Sequence, residues 1–259
     1  MKAKLFAILF CFILFLVFPA QGYAENNRNV VKDQAENLVN LSDRVFQYTD
    51  ANQDTAAASL INELDKQWNT AAPYYSERDK HVVDAAMIKL KLLLNSDGDQ
   101  SEKVDAAVSL RLCFDALQSD GQPLWKSLHS EVLSPVIKMK NALKDKDNDR
   151  FQSTLNHFLD EYALIYPAMM IDGQPDAINL VDKRITSFTD KRLLDVKASS
   201  RIRQLNSIET ELNQVFEQAS NQQEDLITLA AIIGGLVLSV LAYASWRRFL
   251  AERMRRRTR

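Results

Sequence analysis

Apolar residues recur every three or four positions from residue 28 to residue 222, and no stretch alternates convincingly with period two. A repeat near 3.6 is typical of amphipathic α-helices, whereas half-buried strands need a repeat of two. Between residues 25 and 225, glycine occurs only at 98, 121 and 173, each time in an Asp-Gly turn. The sequence therefore predicts an all-α fold, either an antiparallel helical bundle or a short array of helical hairpins.

Turn residues set the limits of about eight predicted helices. Glycine suits the left-handed position after a helix, and the prolines after the second and third Asp-Gly turns suit the first turn of the next helix. Pro73 is expected to stop the second helix, Pro167 to follow the end of the sixth, and Pro135 to kink the fifth. The predicted ranges are 28–50, 54–71, 76–95, 100–118, 123–144, 148–166, 175–190 and 192–222.

The two ends of the chain predict export and a single membrane crossing. Two lysines, an apolar run from Leu5 to Phe18 and small residues up to Ala24 have the pattern of a signal peptide at 1–24. A charge-free run at 226–246 is long enough for a transmembrane helix, leaving an extracytoplasmic domain at 25–225. The tail, 247–259, is expected in the cytoplasm of a single-pass cell-membrane protein. Its residues expected to fix topology and contact anionic lipid are Arg247, Arg248, Arg253, Arg255, Arg256 and Arg257.

Charge separates the predicted exported domain from the tail. The whole chain carries 32 basic and 34 acidic residues. Without Lys2, Lys4 and the seven tail arginines 23 basic residues remain, and without Glu252 there are 33 acidic ones. This acidic domain repels nucleic acid, which we exclude as a partner. Only the stretch 183–203 is basic, which indicates a solvated helix face or a contact with lipid head groups.

No catalytic, cofactor or metal motif is present in the sequence. The histidines, His81, His129 and His157, lack a partner His or Cys at ligand spacing. Aspartates at 145, 147 and 149 resemble a calcium loop, but Arg150 replaces its glycine, so a solvated helix cap is the better interpretation. Cys113 lies in an apolar helix and is expected to be a buried structural thiol. We expect no enzyme activity and no cofactor.

Aromatic residues supply the first candidate contact site. Tyr74 and Tyr75 follow Pro73 and are the best candidates for an exposed aromatic pair that contacts a partner. Other aromatics either line a ligand groove or pack in the core, and their helical spacing favours the core; they are Trp68, Trp125, Tyr162 and Tyr166. Small residues at 231, 235 and 239 are compatible with a homodimer through the membrane helix.

An internal duplication would explain part of the pattern. A shift of 94 residues places Trp68 on Tyr162 and Pro73 on Pro167, with the second helix on the sixth and the third on the seventh. A shift of 52 aligns two of the Asp-Gly turns instead, so the period stays open.

The layout as a whole resembles the sporulation protein YpjB family of endospore formers. The resemblance covers the whole chain and includes Trp68-x4-Pro73, the Gly234-Gly235 membrane segment and Trp246-Arg247-Arg248. It implies a role in spore formation and brings no catalytic residues.

Three hypotheses for the function follow. The first is a membrane-tethered, non-enzymatic helical module that binds a protein partner outside the cytoplasm during sporulation. The second is an enzyme acting on cell wall or lipid through carboxylates, which a cleft with converging carboxylates of shifted pKa would favour. The third is a small-solute sensor that signals through a neighbour in the membrane.

Overall fold

The computed structural model describes residues 21–118, 122–190 and 197–217, with side chains from residue 33 onward. Across these residues the secondary structure is helical, without a strand. The α-helices are α1 (Gln21–Asp50), α2 (Asp54–Ala71), α3 (Glu77–Leu94), α4 (Gln100–Gln118), α5 (His129–Asp145), α6 (Asn148–Asp172), α7 (Pro175–Thr189) and α8 (198–217). Two 3-10 helices lie at Ala72–Tyr74 and Leu124–Leu128. The all-α prediction is confirmed.

The described chain divides into two compact units. The first comprises α1 to α4, the Leu124–Leu128 turn and residues 159–172 of α6. The second comprises α5, residues 148–158 of α6, α7 and α8. Each unit has its own buried apolar core. Burial of apolar side chains is therefore what stabilises each unit in the absence of disulfides.

In the first unit, α1 packs on α2 and α4, and α3 packs on α4. Its core centres on Trp68, which is fully buried and meets Phe114 edge-to-face with ring centroids 5.6 Å apart. The Trp68 indole N–H donates to Asp84 Oδ1 at 2.7 Å, so burying this polar group leaves no unmet donor. A mostly buried ion pair, Lys103 Nζ to Asp54 Oδ2 at 2.5 Å, joins α4 to the start of α2.

The second half of α6 completes the first unit. Ile165, Ala168 and Met169 are fully buried there. An Arg78 guanidinium N–H of α3 donates to the Ile171 carbonyl oxygen at 3.1 Å. These contacts fix the last turns of α6, which directly follow the α6 residues that line the groove described below.

The second unit is held by apolar faces and by two ion pairs of α8. Lys140 of α5 binds Glu209 at 2.6 Å, and Arg184 of α7 binds Glu211 at 3.0 Å. The Arg201 guanidinium lies over the rings of Phe151 and Phe188, 4.2 and 5.2 Å from their centroids. These cation–π contacts compensate for the water that the buried guanidinium loses. The buried heptad-like face of α8 consists of Leu205, Ile208, Leu212 and Val215.

Pro167 acts differently from the sequence-based expectation. The sixth helix does not end before Pro167 but continues to Asp172. Pro135 lies inside α5, and a kink there stays a prediction. An interior proline removes one helical hydrogen bond, at a cost of about 3 kcal/mol. Burial of the apolar residues after Pro167 offsets this cost, because Ala168, Met169 and Ile171 lie in the core.

The predicted duplication fits one pair of helices and not the next. All buried positions of α2, when shifted by 94, fall on buried positions of α6: 57 on 151, 61 on 155, 64 on 158, 68 on 162 and 71 on 165. After the prolines the pattern differs, because α2 ends in a 3-10 turn whereas α6 continues. The duplication therefore stays a prediction.

Among the described residues, no helix has the length and apolarity to span a bilayer. Residues 1–20 of the predicted signal peptide, the predicted membrane segment 226–246 and the predicted tail 247–259 lie outside the described residues. Residues 21–24 form the start of α1, which begins seven residues before the predicted position.

Candidate binding groove

A groove of about 760 Å³ lies in the first unit between α3, α4 and the second half of α6. We call it the α3–α4–α6 groove. Helix α3 contributes five residues, α4 three and α6 three, which are Ala85, Ile88, Lys89, Leu92, Leu93, Glu102, Asp105, Ser109, Asp160, Ala163 and Leu164. A second cavity of about 280 Å³ shares Ala85, Lys89, Ser109 and Ala163 with it and extends it towards Tyr166 and Met170.

Exposed apolar side chains form one wall of the groove. Ile88 and Leu92 are 57% and 68% exposed and lie one helical turn apart on α3. The core-facing side of the same helix is formed by Val83, Met87 and Leu90, all buried. Because α3 is apolar on both sides, it has one face for the core and a second face that no described part of the chain covers.

The lining of the groove is acidic. Its lining holds three carboxylates, Glu102, Asp105 and Asp160, against one cation, Lys89. Partial burial of the Asp105 carboxyl raises its pKa, and the negative charge of Asp160 raises it further, whereas Lys89 opposes the shift. The groove thus combines an apolar wall with a negative potential.

An open apolar groove between helices with charged residues at its edge suits an amphipathic helix or an extended peptide. Such a segment places its apolar side chains against residues such as Leu92 and Leu164, while its basic side chains reach the carboxylates. The described residues hold no group of three or more His, Cys, Asp or Glu side chains arranged for a metal ion.

The predicted aromatic pair lies away from this groove, and its two members have different surroundings. Tyr74 is 68% exposed. Tyr75 packs against Trp68 with ring centroids 5.3 Å apart, and partial burial raises the pKa of its hydroxyl. Neither tyrosine lines the groove, and a partner contact at this pair stays a prediction. The six arginines predicted to contact lipid lie outside the described residues.

Of the four aromatics weighed as groove or core residues, three are in the core. Trp68, Trp125 and Tyr162 are buried, as their helical spacing indicated, and Tyr166 lines the smaller cavity. Cys113 is fully buried, and burial raises its thiol pKa to about 12, so it is the structural thiol that the sequence predicted.

The aspartates at 145–149 form a helix cap rather than a metal loop. Asp147 Oδ1 accepts a hydrogen bond from the Arg150 backbone N–H at 3.0 Å at the start of α6, and the Arg150 side chain pairs with Asp145 and Asp147. The cap interpretation is confirmed.

Comparison with known proteins agrees with the resemblance. The sequence model of one protein family, described as sporulation protein YpjB (SpoYpjB), matches residues 35–258. The chain belongs to the YpjB family of sporulation proteins. It is 26% identical over 263 residues to the uncharacterized protein YpjB of Bacillus subtilis (strain 168), covering 98% of this chain and 96% of that protein. No solved structure matches. Membership in the YpjB family implies a role in sporulation.

Sequence reasoning missed the groove, although one signal for it was present. The core face of α3 contains Val83, Met87 and Leu90. Ile88 and Leu92 lie four residues apart on a different face, and this extra apolar pair is the signal. Asp160 gave no such signal, because the carboxylate that it affects, Asp105, lies 55 positions earlier on α4.

Proposed function

We propose that this YpjB-family protein is a membrane-anchored, non-enzymatic, extracytoplasmic module. On this proposal it acts in sporulation by holding a basic, amphipathic segment of a partner protein in the α3–α4–α6 groove. The observation that carries the proposal is the exposed apolar wall of Ile88 and Leu92 in a groove also lined by the carboxylates Asp105 and Asp160.

Charge and shape favour a peptide over the other classes of partner. The acidic lining repels nucleic acid and anionic lipid, while it attracts lysine and arginine side chains. The groove is open to solvent and three helices form its walls, which suits a segment lying across it. Ile88 and Leu92 then supply the apolar anchor points that dominate binding energy in such interfaces.

Export and anchoring rest on the sequence. The apolar segment 226–246, flanked by acids before it and arginines after it, supports a single crossing with the tail inside. The family match extends to residue 258 and therefore includes this segment, which supports a role for it shared across the family.

Charged substitutions in the wall test the proposal. Ile88→Glu and Leu92→Glu place a carboxylate in the apolar contact, which is expected to weaken partner binding by about 30-fold or more. Ile137→Glu and Leu180→Glu are the matched controls, because these residues are 48% and 43% exposed in the second unit. The full-length variants replace the wild-type protein in the sporulating host, and spore yield and protein level are measured.

A photo-crosslinker at position 92 identifies the partner directly. We expect crosslinks to a segment rich in basic and apolar residues, and their loss when Asp105 and Asp160 are both replaced by lysine. Spore yields that fall equally in the groove variants and the matched controls would overturn the proposal, as would wild-type yields in all four.

An enzyme is the second candidate, because the groove brings together Asp105 and Asp160 and raises the pKa of Asp105. A carboxyl with a raised pKa beside a second carboxylate is a usual source of acid and base catalysis. Asp105→Asn separates the two functions, since the amide fits the groove but does not act as an acid or a base in the ordinary pH range. Turnover of a wall or lipid substrate that this variant abolishes, while crosslinking at position 92 persists, would favour the enzyme.

A further inference from the structure

A pocket of about 170 Å³ lies in the second unit between α7 and α8. From α7 it is lined by Arg184 and Ser187, one helical turn apart. From α8 it is lined by residues spaced at i, i+3, i+4 and i+7, which places them on one face of that helix. These are Ser200, Arg203, Gln204 and Ser207.

The lining of this pocket is basic and rich in hydrogen-bond donors. It contains two guanidinium groups, three hydroxyls and one amide, and no carboxylate. Arg203 is exposed and has no ion-pair partner among the described residues. The Ser187 and Ser200 hydroxyls likewise have no hydrogen-bond partner in that part of the chain, while Ser207 donates to the Arg203 carbonyl oxygen at 3.3 Å.

Arg184 is held in position by one contact that leaves much of its side chain available. Its Nε donates to Glu211 Oε1 at 3.0 Å, and the Glu211 side chain is only 13% exposed. The two terminal amino groups of Arg184 have no other partner among the described residues. With Glu211 counted, the pocket keeps a net charge of +1, and one of its arginines is already ordered.

Size and donor set together point to an oxyanion. The volume is well above the roughly 10–15 Å³ that one water molecule needs, so one tetrahedral oxyanion fits. Arginine forks and hydroxyl donors are the groups that proteins use for phosphate oxygens. Both helices bury other faces through residues such as Ile185 and Leu205, so the donors lie on packed helices rather than on loops.

We infer that the pocket between α7 and α8 binds a phosphoryl group, either as free phosphate or as part of a lipid head group. The two sources share the same chemistry at the pocket, because each offers tetrahedral oxygens to Arg184, Arg203 and the serine hydroxyls. This site is separate from the α3–α4–α6 groove and does not depend on it.

Binding is tested on the full-length chain in an uncharged, phosphate-free detergent. Inorganic phosphate and water-soluble dihexanoyl phosphatidic acid are titrated separately, and binding is followed by ³¹P NMR and by the shift in Tm. Saturable binding of either ligand is expected. Binding of inorganic phosphate would show that the free anion is sufficient to occupy the pocket. Binding of phosphatidic acid but not of inorganic phosphate would show that the pocket takes a lipid head group.

Matched variants separate a built pocket from general positive charge. Arg203→Gln is expected to weaken binding by about 10- to 100-fold, since it removes charge-assisted hydrogen bonds. Lys183→Gln removes the same charge one residue from Arg184, on an exposed side chain outside the pocket, and is expected to leave affinity within about twofold. The double variant Ser187→Ala with Ser200→Ala keeps every charge and is expected to weaken binding as well.

Two results would overturn the inference. One is the absence of saturable binding for both ligands at millimolar concentration. The other is an equal loss of affinity in Lys183→Gln and Arg203→Gln, because diffuse electrostatics would then explain the binding.

Discussion

Asp115 is a half-buried carboxylate on α4 that accepts a hydrogen bond from the Leu124 backbone N–H at 2.5 Å. Burial raises its pKa, and the charge of Asp43 adds to this, although the Leu124 bond and Arg111 oppose it. The folded state therefore favours the protonated carboxyl. Its contribution to stability is full below the ordinary pKa of 3.8 and is lost as the pH rises through the raised pKa.

The replacement Asp115→Asn keeps the acceptor for Leu124 and removes this titration. Relative to wild type, the variant is expected to gain free energy of unfolding as the pH rises above about 4. Urea unfolding of the full-length chain in detergent, followed by tryptophan fluorescence between pH 3.5 and pH 7, measures the difference. Asp97→Asn is the control, because Asp97 is exposed and has no ion pair among the described residues. The same pH trend in both variants would contradict the prediction.

Single residues were predictable from sequence where their neighbours along the chain decide their surroundings. Cys113 lies between Leu112 and Phe114, and all three are buried. The aspartate cap before α6 is equally local, since Asp147 bonds a residue three positions away. Asp105 and Asp160 were not predictable, because two helices far apart in sequence bring them together and periodicity does not specify which helices are neighbours.

Helix limits were predicted well where a glycine turn or a proline ends the helix. Helices α2 and α4 have the predicted bounds, 54–71 and 100–118. The prediction was wrong for α6, because the rule that ends a helix before proline neglects the burial of the residues beyond it. Two turns use a residue other than glycine at the left-handed position, Asn52 with φ 56° and Lys146 with φ 57°.

Lys146 ends α5 in a conformation that is costly for a residue with a Cβ atom. The turn closes with a hydrogen bond from the Asp147 backbone N–H to the Ala142 carbonyl oxygen at 2.9 Å, the bond of a Schellman motif. Lys146→Gly relieves the steric cost and is expected to raise the free energy of unfolding by about 0.5–1 kcal/mol. Lys146→Val introduces a β-branched side chain at the left-handed position and is expected to lower the free energy of unfolding by a similar amount.

Chemical denaturation of the full-length variants measures both effects on the turn. The control is Lys138→Gly, an exposed interior position of α5 at which glycine is expected to cost about 1 kcal/mol. Destabilisation by glycine at both positions would show that the left-handed geometry at 146 carries no strain.

At the scale of the molecule, the sequence predicted the eight α-helices of the described ranges but not their grouping into two units. The sequence pattern of α6 predicts one amphipathic helix. In the structure, its residues 148–158 belong to the second unit and its residues 159–172 to the first. The α3–α4–α6 groove depends on this division, since Asp160, Ala163 and Leu164 all lie in the second part. A hydrophobic pattern shows which face of a helix is buried, and the helix that covers it follows only from tertiary structure.

The predicted topology places the groove outside the cytoplasm, and thiol accessibility tests this placement. Ser101→Cys introduces a thiol at an exposed position near the start of α4, and Thr258→Cys introduces one in the tail. Both are made in a Cys11→Ser background. Cys113 needs no replacement, because it is fully buried and its thiol pKa is raised to about 12, so little reactive thiolate is present.

A membrane-impermeant maleimide applied to intact protoplasts is expected to label the thiol at 101 and to miss the thiol at 258. After permeabilisation both are expected to react. Labelling of position 258 in intact protoplasts would contradict the cytoplasmic location of the tail that the arginines at 247–259 predict. Labelling of neither site before permeabilisation would place the groove in the cytoplasm, and the partner of the groove would then have to be sought there.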